Sequence, residues 1–328
     1  MRHWFLSPKY RNHTTFTLTA VILTFVVIML GAYTRLTDAG LSCPDWPHCY
    51  GYLTAPHTAI QLNGASINYP DAPVNITKAW TEMIHRYFAG TLGIFILIVA
   101  GTLLASRKAK GFKSYAIGIG LLVLLGLQVL LGMLTVTEKL KPVIVLSHLL
   151  TGISLLALLW WTYVDLKLRD DYFIPRSASR TLPWIWLGFL IVLGQIALGG
   201  WVSTHYAGLA CIDLPYCNQV LLPALHLDQF NTDLITIHML HRIGAVVTAV
   251  YLIGLSIYLL QKPAFFHFGA LILVLVSLQF TLGVLNVLWL RPVWLALMHH
   301  GLAILLLLTV MTALIKAHIQ SRDRRYAI

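Results

Sequence analysis

Eight stretches of this sequence are each long and apolar enough to cross a lipid bilayer as one helix, and no other feature constrains the fold as strongly. Roughly 30 Å of hydrocarbon takes about 20 residues of helix. The runs fall at about 15–35, 80–104, 114–136, 143–164, 182–203, 237–260, 265–288 and 292–315. Inside hydrocarbon every backbone N–H and C=O must find an internal partner, so a helical bundle is the expected solution. A β-barrel would show alternation where this chain has solid apolar blocks. Composition agrees: 58% of the 328 residues are hydrophobic and 11% are charged, outside the range of soluble domains. The expected fold class is an all-α polytopic membrane protein. The first run is too long for the h-region of a signal peptide, and no small-residue cleavage site follows it, so it reads as a span.

A net charge of +11 invites a nucleic-acid reading, but the distribution of the charge excludes it. Lys and Arg crowd the N-terminus (Arg2, Lys9, Arg11), "SRKAKGFK", "DLKLRDDYFIPRSASR" and the tail "SRDRRYAI". The alternate loops are poor in them, and the segment from Ser203 to Thr236 has none. That is the positive-inside pattern, with both termini cytoplasmic. The basic excess records topology, with contact to anionic lipid as its corollary. No transit peptide precedes the first span, so the expected location is a bacterial inner membrane.

The chain also repeats itself. "GAYTRLTDAGLSCPDWPHC" from Gly31 aligns without a gap with "GGWVSTHYAGLACIDLPYC" from Gly199, and "LQVLLGMLTV" from Leu127 matches "LQFTLGVLNV" from Leu278. The expected organisation is two tandem four-helix bundles, residues 1–165 and 166–328, joined by the basic stretch near 165–181. An even number of spans per half gives both halves one orientation, a parallel repeat. All four cysteines, Cys43, Cys49, Cys211 and Cys217, fall in outer loops at identical spacing. An oxidising compartment favours two local disulfides, Cys43–Cys49 and Cys211–Cys217. A redox-active pair and a metal site are the alternatives, the latter weakened because His48 has no counterpart in the second loop.

Fourteen histidines are present, and most fall at cytoplasmic ends or in outer loops. Four differ. His85, His148, His241 and His299 each enter the second, fourth, sixth or eighth apolar run from the outer side, two per half at corresponding positions. Ionisable groups inside a membrane segment point to function. Two neutral imidazoles on facing helices suit the axial positions of a haem iron, whereas zinc would want more ligands. Arg86 and Arg242, each directly after a histidine, suit haem propionates at the membrane edge. His300 competes with His299, which is preferred because its offset from His148 equals that of Gln279 from Gln128.

The halves are not equal. Glu82, one of two glutamates in the chain, lies three residues before His85, on the same helix face. The second half has His238 at that place. A carboxylate at the membrane edge is costly unless used or paired. The first half therefore reads as a reaction site, and the second as an electron relay.

These residues resemble a family, haem A synthase, over nearly the whole chain: eight spans in tandem halves, a cysteine pair in the first outer loop, E-x-x-H-R, a second H-R, and histidines in the fourth and eighth spans. "TRLTDAGLSCPDWPHC" is particularly similar. The resemblance implies oxidation of the C8 methyl of haem O to a formyl group through successive hydroxylations and a gem-diol, with water as the oxygen source. It implies Glu82 as the catalytic carboxylate, His85 and His148 flanking substrate haem O, and His241 and His299 ligating a resident haem b. It implies haem O synthase and oxidase assembly factors as partners, with a homo-oligomer left open. Family members differ in the spacing of the loop cysteines, so the pair here reads first as a staple. Read without the resemblance, a non-catalytic di-haem b cytochrome would explain the histidines but not Glu82. A transporter would show interrupted helices at the midplane, which are lacking here.

Overall fold

The computed structural model describes residues 8–105, 107–168 and 180–322. The helices are α1 (Pro8–Leu36), α2 (Ala59–Asn68), α3 (Ile76–Ala105), α4 (Arg107–Thr137), α5 (Pro142–Leu168), α6 (Leu182–Thr204), α7 (Leu234–Leu260), α8 (Phe266–Leu288) and α9 (Val293–Arg322). Eight of them, all but α2, are long and apolar enough to cross a membrane. Among the described residues the only β pairing is two isolated bridges, Cys49 with Tyr52 and Cys217 with Val220. The chain is an all-α polytopic membrane protein. Several basic positions that bear on orientation, including Arg2, Arg169, Arg176, Arg324 and Arg325, lie outside the described residues.

The fold divides into two compact units, Met1–Lys167 and Leu168–Ile328. In the first, α3 packs between α1 and α4. Helix α5 joins α4 through Gln128 Nε2, which donates to the His148 carbonyl at 2.9 Å, and through a Lys113–Asp165 ion pair at 2.8 Å. In the second, α6 packs on α7 and α9, α7 on α8, and α8 on α9, closing a ring of four. There Lys316 Nζ donates to the Ala264 carbonyl at 2.8 Å. Counted along the repeat, Ala264 and Lys316 occupy the places of Lys113 and Asp165, so the same helix pair is tied in each unit by different chemistry.

Hydroxyls inside the spans bond back along their own helices. Thr24 donates to the Ala20 carbonyl at 2.6 Å and Thr34 to Leu30 at 2.9 Å, so neither is an unpaired polar group in hydrocarbon. Helices α3 and α7 begin three to four residues earlier than their apolar runs suggest. Asn75 Oδ1 accepts from the Lys78 N–H, and the Asp233 carboxylate accepts from Ile235 and Thr236 N–H; these caps extend each helix into polar sequence. As a result Glu82, His85, His238 and His241 sit one to three turns inside their helices.

Helix α2 was not expected from hydropathy. It starts at a capping box in which the Thr58 side chain accepts from the Gln61 N–H and Gln61 reaches back to the Thr58 N–H.

Candidate functional site

The site is built from two copies of one loop and the helix turn beneath it. In the first copy Cys43 and Cys49 form a disulfide. The Asp45 carboxylate accepts from the N–H groups of Tyr50 and Gly51 at 2.6 and 2.7 Å. Those residues have left-handed backbone, φ 56° and 79°. They form a tight turn closed by reciprocal bonds between Cys49 and Tyr52. In the second copy Cys211 and Cys217 are bonded, Asp213 takes the N–H groups of Asn218 and Gln219 at 2.7 and 2.8 Å, and Cys217 pairs with Val220. The shared aspartate is therefore a turn cap, which explains why C-x-D-x-P-x-C recurs.

Each loop is tied down to its helix by an arginine. Arg86 Nη1 donates to the carbonyls of Asp45, Pro47 and His48 at 3.0, 3.2 and 2.6 Å. Arg242 donates to the carbonyls of Cys211, Asp213 and Tyr216 at 2.8–3.1 Å. The residue four before each arginine completes the tie. Glu82 accepts from the Cys43 N–H at 2.9 Å and from Arg86 Nη2 at 2.5 Å. His238 lies in the same place, with Nδ1 3.3 Å from the Cys211 N–H nitrogen and Nε2 3.3 Å from Arg242 Nε, and its neutral ring accepts at one of the two nitrogens. Both are buried, at 4% exposure each. Glutamate and histidine thus occupy the same place between loop and arginine, and they differ in charge and in the second acceptor that only the carboxylate supplies. Burial first, then the charges of Glu82 and Asp45, push the Tyr50 phenol above the ordinary tyrosine range.

Asp213 is held below the ordinary aspartate range, first by the Gln219 N–H against desolvation, which comes next in size and opposes it, with the Asn218 N–H, its own N–H and the Arg242 charge adding to the lowering. A lowered carboxyl stabilises the fold above its unfolded value, near 3.9, and that contribution fades as pH falls toward the folded value. The protection factors of the Asn218 and Gln219 amides, exchange corrected for its intrinsic pH dependence, are therefore expected to hold from neutral pH down to about 4 and to fall below it. Protection factors unchanged through the titration of Asp213 would contradict the cap.

The four histidines lie in pairs, His85 with His148 and His241 with His299, each pair within electrostatic reach. Each ring sits on a glycine of a neighbouring helix. A Cβ on Gly31, Gly132, Gly199 or Gly283 would lie 2.9, 3.4, 3.0 or 3.2 Å from Cε1 of His85, His148, His241 or His299 respectively. Nδ1 of His85, His148 and His299 is buried without a hydrogen-bond partner. His300 Nε2 is buried in the same condition, but the glycine seat at Gly283 belongs to His299.

Paired, buried imidazoles with unpartnered nitrogens fit a haem iron, which takes two axial nitrogens and no more. Among the described residues no group of three or more His, Cys, Asp or Glu is placed to hold a metal ion, so a zinc-type cage does not fit. The sequence reading missed the two aspartate caps and the glycine seats. Both were legible in principle: Asp45, Asp213 and all four glycines fall within the gapless repeat matches.

Comparison with known proteins identifies relatives over most of the chain. Residues 14–311 match the model of the cytochrome oxidase assembly protein family, COX15-CtaA. A haem A synthase of Shewanella oneidensis is 40% identical over 309 residues, covering 89% of this chain and 92% of that protein. Haem A synthases of Methylobacterium nodulans and Sphingopyxis alaskensis are each 28% identical, covering 87% and 89% of this chain and 86% and 88% of their own.

Proposed function

The chain belongs to the haem A synthase family of cytochrome oxidase assembly proteins, and from that premise we propose that it converts haem O to haem A in a bacterial inner membrane, with both termini cytoplasmic. The observation that supports this most is a carboxylate present in only one of two otherwise matched histidine sites, Glu82 against His238. The first half, with His85, His148 and Glu82, takes the substrate. The second half, with His241 and His299, holds a haem b, which supplies one-electron chemistry when bound.

Converting a methyl to a formyl group with oxygen from water releases four electrons and four protons, so the substrate site needs a proton acceptor and the electrons need an external acceptor. Glu82 is the candidate base, three residues from His85 on the same helix face. Its tie to Cys43 and Arg86 fixes the carboxylate, which would stabilise positive charge developing on a substrate carbon held beside it. Arg86 and Arg242 place a cation at the loop end of each half, where haem propionates need one. The Cys43–Cys49 and Cys211–Cys217 bridges act as staples for the loops that cover each site.

The test is co-expression with a haem O source, followed by chromatography of extracted haems. Haem A in the extract is expected. Haem b alone would reduce the protein to a cytochrome.

A further inference from the structure

The loop end of the first half is charged at places where that of the second is not. Arg35 lies one turn beyond Gly31 on α1, and Gly31 seats His85. Glu82 lies one turn before His85 on α3, which packs on α1. Helix α1 runs toward the loop and α3 away from it. Arg35 and Glu82 therefore stand level on neighbouring helices, one turn nearer the loop than the His85 ring. The Arg35 side chain is 14% exposed and meets the exposed Asp38 carboxylate at 3.4 Å. Lys78, one turn before Glu82, donates to the Asp38 carbonyl at 3.2 Å.

The repeat replaces every member of this group. Ser203 stands in the place of Arg35, Tyr206 in that of Asp38, Leu234 in that of Lys78 and His238 in that of Glu82. The second half carries an arginine elsewhere: Arg291 lies against Gly208, where in the first half Leu140 lies against Gly40.

We propose that Arg35 and Lys78 bind the two propionate carboxylates of the substrate haem and so turn its methyl-bearing edge toward Glu82. This rests on the haem A synthase reading. The C8 methyl of haem O shares a pyrrole ring with a propionate side chain, so a cation that holds that carboxylate near the loop also sets the height of the methyl group. Arg86 adds charge at this end, but its Nη groups are bonded to three loop carbonyls and to Glu82. A propionate close to Glu82 brings two anions together in a site of low dielectric, where they repel unless cations stand near them. The Arg35–Asp38 pair has an exposed acid and contributes little by itself, so an entering carboxylate can take the place of Asp38 on the guanidinium. A substrate must be oriented afresh in each cycle and then released, and a resident haem is not. The charged group accordingly accompanies Glu82.

Haem O and its dimethyl ester, whose propionates carry no charge, test this on the full-length protein holding haem b in its second half. In titrations followed by absorbance, the wild type is expected to prefer haem O over the ester by about 10–100-fold. Arg35→Ser with Lys78→Leu copies Ser203 and Leu234, and is expected to lose about tenfold of that preference while keeping its haem b. A purely structural role would weaken both ligands alike and leave the preference unchanged. Should that variant fail to hold haem b, Arg35→Gln with Lys78→Met keeps the side-chain lengths without the charges and gives the same comparison. An equal preference in wild type and a haem b-loaded variant would overturn the inference, as would a wild type that binds haem O and the ester equally well. Wild-type protein that takes up neither would instead overturn the functional reading itself.

Discussion

Glu82→His is expected to abolish haem A formation while leaving the first loop docked. The second half supplies the reason: His238 occupies the same place, accepts from the Cys211 N–H and meets Arg242. Histidine at 82 can therefore accept from the Cys43 N–H as Glu82 does, without the second acceptor that Glu82 offers Arg86, whose three bonds to loop carbonyls remain to hold the loop. What it cannot supply is a carboxylate beside the substrate. General base catalysis is worth roughly 10²–10⁴ in rate, so haem O or its hydroxymethyl product should accumulate at the expense of haem A. Glu82→Gln lacks the precedent that His238 supplies in the second half. It turns one acceptor oxygen into a donor aimed at Arg86 or at the Cys43 N–H, and breaking a buried pair in this way costs about 3–5 kcal/mol. The comparison is made by chromatography of haems per folded protein, with exchange of the Cys43 amide reporting loop docking. Near-normal haem A from a docked Glu82→His loop would assign Glu82 to architecture alone.

The spans were legible in the sequence because lipid imposes one length and one composition on each of them. Their starts were not, because Asn75 and Asp233 cap helices inside polar stretches that hydropathy excludes. Helix α2 escaped for a related reason: "AIQLNGASIN" is short and mixed, and its signal is the Thr58–Gln61 box. The histidines stood out because imidazoles are rare in apolar runs. Arg86 was legible as a cation near a haem edge, but its bonds to the Asp45, Pro47 and His48 carbonyls were not, since backbone acceptors leave no trace in side-chain identity. The glycines were visible as repeat matches. That they seat His85, His148, His241 and His299 depends on the rotation of one helix against another, which spacing along a single chain does not set.

His241→Ala and His299→Ala are each expected to strip the second half of most of its haem b. A low-spin six-coordinate iron needs both imidazoles, and each ring is seated by a glycine of a neighbouring helix: Gly199 for His241 and Gly283 for His299. Losing a ligand outright should exceed the 10–100-fold affinity loss that follows removal of a group behind a ligand. Alanine also leaves a hole the size of an imidazole against each seat glycine. His300 is the competitor to exclude. Its Nε2 is buried without a partner, yet it lacks the Gly283 seat. His300→Ala should therefore retain the low-spin spectrum. The readout is the pyridine haemochrome and the absorption spectrum of purified protein, with haem O occupancy of the first half showing that each variant is folded. Full haem b in His241→Ala or His299→Ala would remove the relay assignment. Loss of haem b in His300→Ala, with retention in His299→Ala, would move the fourth ligand one residue along α9.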